Sequence, residues 1–330
     1  MLEEPALDQA ELAAALRTAY GIQALEFRFV RSYDLRAASY DVAATDGRRF
    51  VKVHFSPLAD ASLRVPRALL DAGVSDVLAP MRTLTSALSH PIGDGRSIVV
   101  YPFVVGQNAM VAGMTGTQWR AFGRTLRGVH DSGLAERFGD RLPAETFALP
   151  AAAAVRAALA MAERPAVDST SGQRLKAFLA VQAGRVGAML QRAEELRARL
   201  AGRPLTHVLC HADIHAANVV VADDDRILLV DWDGPMRAPR ERDLLFVIGA
   251  RIARNVEPYE EAWFFEGYGD VEVDREAIIY YRYERIFEDI AETGMSVFGD
   301  PALGEASRKS QVRLLESFFG PGGIVETVEG

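Results

Sequence analysis

The segment best equipped for chemistry runs Val208-Leu209-Cys210-His211-Ala212-Asp213-Ile214-His215-Ala216-Ala217-Asn218, continues through Val230 and ends in Asp231-Trp232-Asp233. Two apolar, β-rich runs, 218–222 and 226–231, flank Asp223-Asp224-Asp225, which is the pattern of a tight hairpin. Centring the turn on Asp224-Asp225 sets Val221 opposite Leu228 and Asn218 opposite Asp231. An amide and a carboxylate then meet at the open end of the hairpin, and Asp213 lies in the loop that feeds its first strand. These are hard oxygen donors. Magnesium takes one or two protein carboxylates together with phosphate oxygens and water, so Asn218 and Asp231 are candidate metal ligands and Asp213 is left to orient a hydroxyl.

The order H-x-D-x-x-x-x-N, with a second Asp two strands later, is that of a kinase catalytic loop and its metal-binding Asp. Asp223 to Asp225 read as ordinary turn residues. His211 is expected to be structural, hydrogen-bonded under the loop, whereas His215 suits either a phosphate contact or loop shaping. Cys210 beside His211 suggests a thiol nucleophile, but it follows an apolar strand and reads better as buried and inert. Lys52 draws attention because only three of the 37 basic residues are lysines and this one sits inside Phe50-Val51-Lys52-Val53. A buried lysine is costly unless paired. The kinase scheme puts such a lysine on the nucleotide phosphates, held by an acid on the next helix; Asp60 is the expected partner. The alternative is an edge-strand lysine with its head in water.

The elements that must carry these groups follow from periodicity. Helical spacing at 7–19 stops near Gly21. Short β-like pieces at 25–31, 38–44 and 49–55 follow, the last two joined by Asp46-Gly47, a strong hairpin signal. A helix over roughly 59–72 ends at Gly73, and 82–89 with 96–101 reads as a second hairpin. Beyond 102–106, where Pro102 and Gly106 bracket a short connection, helices are expected at 117–130, 151–163, 172–201, 243–252, 258–268 and 276–292, with β character at 207–233. The division predicted is an N-terminal lobe, 1–103, and a C-terminal lobe, 104–330. A single cysteine excludes an intrachain disulfide and fits a reducing, cytoplasmic setting. The acidic start lacks a signal-peptide pattern, no run is apolar and long enough for a membrane span, and a net charge of −8 argues against a nucleic-acid binder. No obligate protein partner is evident.

On these residues the sequence resembles the aminoglycoside phosphotransferase and choline kinase-like family. The resemblance rests on Val208 to Asn218, Val230 to Met236, Ala238-Pro239-Arg240-Glu241-Arg242-Asp243-Leu244, Tyr101-Pro102-Phe103 and Tyr281 to Ile286, runs the full length, and is closest to the subgroup that phosphorylates spectinomycin. It implies an α+β, two-lobed protein-kinase-like fold with a small antiparallel-sheet N-lobe, a larger mainly helical C-lobe, and ATP between them. By position, Asp213 would be the catalytic Asp, Asn218 and Asp231 the Mg2+ ligands, Lys52 the phosphate-binding lysine and Asp243 the buried acceptor bracing the catalytic loop. Tyr101, Pro102, Phe103 and Val104 would line the adenine, the last three by backbone hydrogen bonds. Three departures stand out. The loop over the nucleotide, 31–39, has no glycine, so Ser32, Ser39 or backbone amides would have to serve the phosphates; Ala217 replaces a frequent glycine; and the helix partner of Lys52 is Asp60 rather than a Glu.

The charge is unevenly spread. Residues 255–292 hold twelve acids and three arginines, a net of −9, interleaved with aromatics. Most single acids there read as a solvated face. Together they suit a small cationic, hydroxylated substrate, drawn in by electrostatic focusing and held by charge-assisted hydrogen bonds. The candidate amine contacts are Asp233, Glu266, Glu284 and Glu288. The activity expected is transfer of the ATP γ-phosphate to a hydroxyl of an aminocyclitol. A choline-like small-molecule kinase, a metallohydrolase using His211, Asp213, His215 and Asp231, and a silent nucleotide-binding protein are the alternatives.

Overall fold

The computed structural model describes residues 3–32, 34, 36–163, 169–300 and 303–329; Tyr33 and Leu35 of the expected nucleotide loop lie outside them. In chain order the elements begin with α1 (Gln9–Tyr20), β1 (Ala24–Val30), β2 (Ala37–Ala44), β3 (Gly47–His54), α2 (Asp60–Asp71), β4 (His90–Ile92), β5 (Arg96–Pro102), β6 (Gly106–Asn108), α3 (Ala109–Ala112), α4 (Gly116–His130) and α5 (Leu134–Phe138). There follow α6 (Ala152–Ala162), α7 (Thr170–Leu200), β7 (His207–Cys210), β8 (Val219–Ala222), β9 (Ile227–Leu229), β10 (Met236–Pro239), α8 (Glu241–Leu244), β11 (Arg251–Ile252), β12 (Arg254–Asn255), α9 (Pro258–Tyr268), α10 (Arg275–Gly299), α11 (Glu305–Phe319) and α12 (Glu326–Glu329). The α+β class expected from sequence is the one observed: a five-stranded antiparallel sheet near the N-terminus, then a mainly helical remainder.

Contacts divide the chain into two compact units. Unit 1 comprises 1–143, 211–236 and 263–269; unit 2 comprises 144–210, 237–262 and 270–330. The connection at 102–106 falls inside unit 1. Its sheet has the order β1-β2-β3-β5-β4. Alternation along β2, β3 and β5 sends Tyr40, Val42, Val51, Val53, Ile98 and Val100 to one face, where they bury against Leu12, Leu16 and Tyr20 of α1. α1 is itself capped by Asp8, whose carboxylate accepts from Ala10 N and Glu11 N, and stopped by Gly21 in a left-handed conformation. The opposite face of the same strands carries Lys52, with Ser39 and Val99 as its cross-strand neighbours.

A second sheet of unit 1, β6-β8-β9, holds the hairpin that follows the Asp213 loop. It is tied into the unit through Leu229, whose N–H donates to Asp76 O and whose carbonyl accepts from Leu78 N, and through the bond from Asp223 N to Val105 O. The C-terminal end of α9 crosses α4 where glycine meets glycine: a Cβ on Gly123 would lie 2.1 Å from Phe264 O, and one on Gly267 would lie 2.0 Å from Arg120 O. In unit 2, α6, α7, α10 and α11 pack together.

Three element expectations need correction. β4 covers His90–Ile92, not 82–89, because Thr83 and Ala87 close a turn with Ser86 at positive φ. The helix expected at 243–252 stops at Leu244; tight turns and the β11-β12 pair replace it, with Gly249 and Ala253 left-handed. α10 runs to Gly299, beyond the predicted end at 292.

Candidate functional site

Lys52 is the centre of the site. Its Nζ lies 2.6 Å from Asp231 Oδ1, 3.8 Å from Asp34 Oδ2 and 3.9 Å from Asp233 Oδ2, and its side chain is only 11% exposed. Burial alone would disfavour the ammonium, but the carboxylates, Asp231 foremost, override it and leave the Lys52 pKa raised. The same opposition leaves Asp231 lowered, because Lys52 outweighs desolvation, whereas burial with Asp231 and Asp34 close by raises Asp233. His54, two residues along the same face of β3, is driven down to about 4 by burial and then by the Lys52 charge. The sequence expectation that Asp60 partners Lys52 is overturned. Asp60 is exposed and accepts from Arg64 Nε at 2.6 Å, an ordinary i,i+4 pair on α2. The acids on Lys52 come instead from residues 231–233 and from the loop between β1 and β2.

The hairpin exists, but its register is shifted by one residue. Val219 pairs with Leu229, Val220 with Leu228 and Val221 with Ile227. The turn takes all three aspartates, with Asp225 at φ 66° and the bond Ala222 N to Arg226 O closing it. Asn218 therefore faces Val230, whose N–H donates to the Asn218 carbonyl, and Asp231 lies one step beyond. Asp231 has φ 65°, in the left-handed region; the chain turns there and its carboxylate meets Lys52.

The Asp213 loop is held by its own side chains. His211 is buried; its Nε2 donates to Val230 O at 2.9 Å and its Nδ1 accepts from Asp213 N at 3.3 Å. The His211 ring also lies 4.4 Å, centroid to centroid, from Trp232. Ala212 is left-handed at φ 71°. His215 caps the 3₁₀ turn Ala216–Asn218, its Nδ1 accepting from Ala217 N, and its Nε2 is 3.6 Å from Asp213 Oδ2. Asn218 Nδ2 donates to Asp213 O at 2.8 Å and approaches Asp213 Oδ2 at 3.4 Å. Ala217 sits in that turn and is not among the positive-φ residues, so no glycine is required there.

Ser39, Tyr101, Pro102, Phe103 and Val104 are all in unit 1 with these groups. Ser39 is buried on β2 opposite Lys52. Tyr101 and Pro102 end β5 opposite Phe50 and Arg49, and the Arg48 guanidinium stacks 3.6 Å from the Phe103 ring. Asp243, like Cys210, belongs to unit 2 and is fully buried. Burial pushes the Cys210 thiol well up, which is the inert reading. Of the expected amine contacts, Asp233 faces Lys52 and Glu266 is held by Arg120 at 2.5 Å. Glu284 and Glu288 are in unit 2, bound to Arg242 at 2.5 and 2.9 Å. Glu284 is buried, pushed up to about 7 by desolvation with Arg242 working against it, and its carboxylate lies in an internal ion pair.

Asp34 and His54 were not singled out by sequence reasoning. His54 had a readable signal, the same strand parity as Lys52. Asp34 had none, because a loop Asp has no periodicity.

The donor set suits a hard divalent cation. Asn218 commits its Nδ2 to Asp213 and so leaves its amide oxygen as a donor, while Asp231 supplies a carboxylate. Among solved structures, the chain is similar to spectinomycin phosphotransferase, APH(9)-Ia, in complex with ADP and spectinomycin: TM-score 0.87, 29% identity, 98% of each chain covered. It also shares its fold with the amicoumacin kinase hAmiN (TM-score 0.62, 16% identity, 97% of this chain and 94% of that one). The choline kinase LicA from Streptococcus pneumoniae likewise shares the fold (TM-score 0.56, 15% identity, 94% and 99%). No curated protein sequence matches. The sequence matches the phosphotransferase enzyme family, APH, over residues 31–277, and with Lys52, Asp213, Asn218 and Asp231 inside that span, the chain belongs to this phosphotransferase family.

Proposed function

We propose that the chain transfers the γ-phosphate of ATP to a hydroxyl of a cationic aminocyclitol, spectinomycin first among them, in a magnesium-dependent reaction that confers antibiotic resistance. The observation that carries this reading is the pairing of buried Lys52 with the partly exposed Asp231, beside a loop in which Asn218 positions Asp213. Magnesium, when bound, would neutralise the phosphates. Asn218 and Asp231 would hold it. Lys52 would exchange carboxylate for phosphate contacts, and Asp213 would orient the acceptor hydroxyl and take its proton late, as a loose transition state requires. His211 fixes the backbone on which Asp213 is mounted, and His215 stands beside the same carboxylate. The choice of spectinomycin is supported by the 29% identity over 98% of both chains to a phosphotransferase solved with that compound. The single, buried thiol fits a cytoplasmic setting.

The test is incubation with ATP, magnesium and a panel of aminocyclitols plus choline, read by mass for one added phosphate. Spectinomycin should gain it. Choline phosphorylated while spectinomycin is untouched overturns the substrate assignment; hydrolysis without ATP overturns the phosphotransfer reading. Asp213→Asn should lower turnover by at least about a hundredfold with nucleotide binding and melting temperature retained. Normal turnover in that variant would remove Asp213 from its role.

A further inference from the structure

Resting on the phosphotransferase reading above, we infer that Asp34 makes nucleotide binding depend on a divalent cation, because its carboxylate stands at Lys52 where a phosphate must come. In the protein-kinase scheme a glycine-rich loop covers the phosphates, whereas the loop between β1 and β2 here has no glycine. It brings in an anion instead. Asp34 Oδ2 is 3.8 Å from Lys52 Nζ, with a side chain 19% exposed. The carboxylate is not swinging at random: its Oδ1 accepts from Arg36 N at 2.8 Å, an Asx turn that fixes its direction.

One lysine faces three carboxylates, Asp34, Asp231 and Asp233. Arg36 adds a cation that acts on Asp233 and His54. His54 is held neutral there. The site therefore starts with net negative charge before a polyphosphate arrives. A bare nucleotide must displace Asp34 from Lys52 and sit beside two further carboxylates. A cation on Asp231 removes most of that repulsion and lets Lys52 turn to phosphate. Asp34 thus excludes the metal-free nucleotide and tolerates the metal complex.

Asp34→Asn isolates the charge, since the amide keeps an oxygen for Arg36 N. Asp34→Ser keeps a shorter acceptor and guards against a folding defect in the first variant. ADP affinity is measured by calorimetry with and without magnesium. Both variants should bind metal-free ADP about tenfold more tightly than wild type, partly exposed charges being screened, and the ratio of affinities with and without magnesium should fall by the same factor. An unchanged ratio in variants whose wild type binds Mg-ADP overturns this inference alone, as does weaker binding in the variants, which would make Asp34 a ligand. Wild-type protein that binds no ADP even with magnesium overturns the phosphotransferase reading and this inference with it.

Discussion

Lys52 shows how one buried charge organises its neighbours. The strand that carries it also carries His54, whose Nε2 is buried with no hydrogen-bond partner among the described residues. With a native pKa of about 4 against 6.5 for the ordinary side chain, His54 is neutral in the fold and takes a proton in the unfolded chain. The unfolded state therefore binds more protons between these values, and stability is lost as pH falls from 6.5 toward 4. The expected loss is about 3 kcal/mol. Urea melts at pH 7.5, 5.5 and 4.5 should show a shallower slope for His54→Gln than for wild type; equal slopes would place the pH sensitivity elsewhere. Two further residues carry strain. Ala212 and Asp231 are left-handed without being glycine, at a cost of roughly 1–2 kcal/mol each. They bracket the Asp213 loop and the Lys52 contact, where strain of this kind is commonly retained for geometry.

At the scale of elements, the α4–α9 crossing is the tightest joint described. Gly267→Ala would drive a methyl group into Arg120 O, and overpacking of this kind costs about 1–3 kcal/mol; a thermal melt unchanged from wild type would show that the helices can part. Much of the site was legible in sequence because it is local. The H-x-D-x-x-x-x-N loop, the hairpin behind it and Lys52 mid-strand are written in spacing alone. The register was not, since Asp223-Asp224-Asp225 does not say which residue turns left-handed, and Asp225 taking that conformation moves every pair by one. The partner of Lys52 was missed for a different reason. Sequence proximity pointed to Asp60, but the bond is to Asp231, 179 residues away, and local periodicity contains no term for such a contact. The strand at His90–Ile92 was misplaced because 82–89 has β composition but closes on itself.

Across the whole molecule, the acidic stretch changes meaning. In unit 2, Glu260 pairs with Arg254, Asp274 and Glu276 with Arg203, Glu276 also with Arg199, and Glu284 and Glu288 with Arg242; in unit 1, Glu266 pairs with Arg120. Much of the −9 of residues 255–292 is thus neutralised in place, and its value as a lure for cations shrinks. Where its acids are buried, at Glu260 and Glu284, it braces the fold instead. Arg242→Ala would leave Glu284 buried without its cation, and removing one member of a buried pair costs about 3–5 kcal/mol. A melting temperature within a degree of wild type would contradict that. The division into units has a consequence for biosynthesis. Unit 1 is assembled from three stretches of chain, the last ending at residue 269. Lys52 leaves the ribosome 179 residues before Asp231, which at typical elongation rates is roughly 10–40 s. Through that interval the nascent sheet must shelter or hydrate its lysine by other means, so unit 1 matures late in translation although most of it is made first.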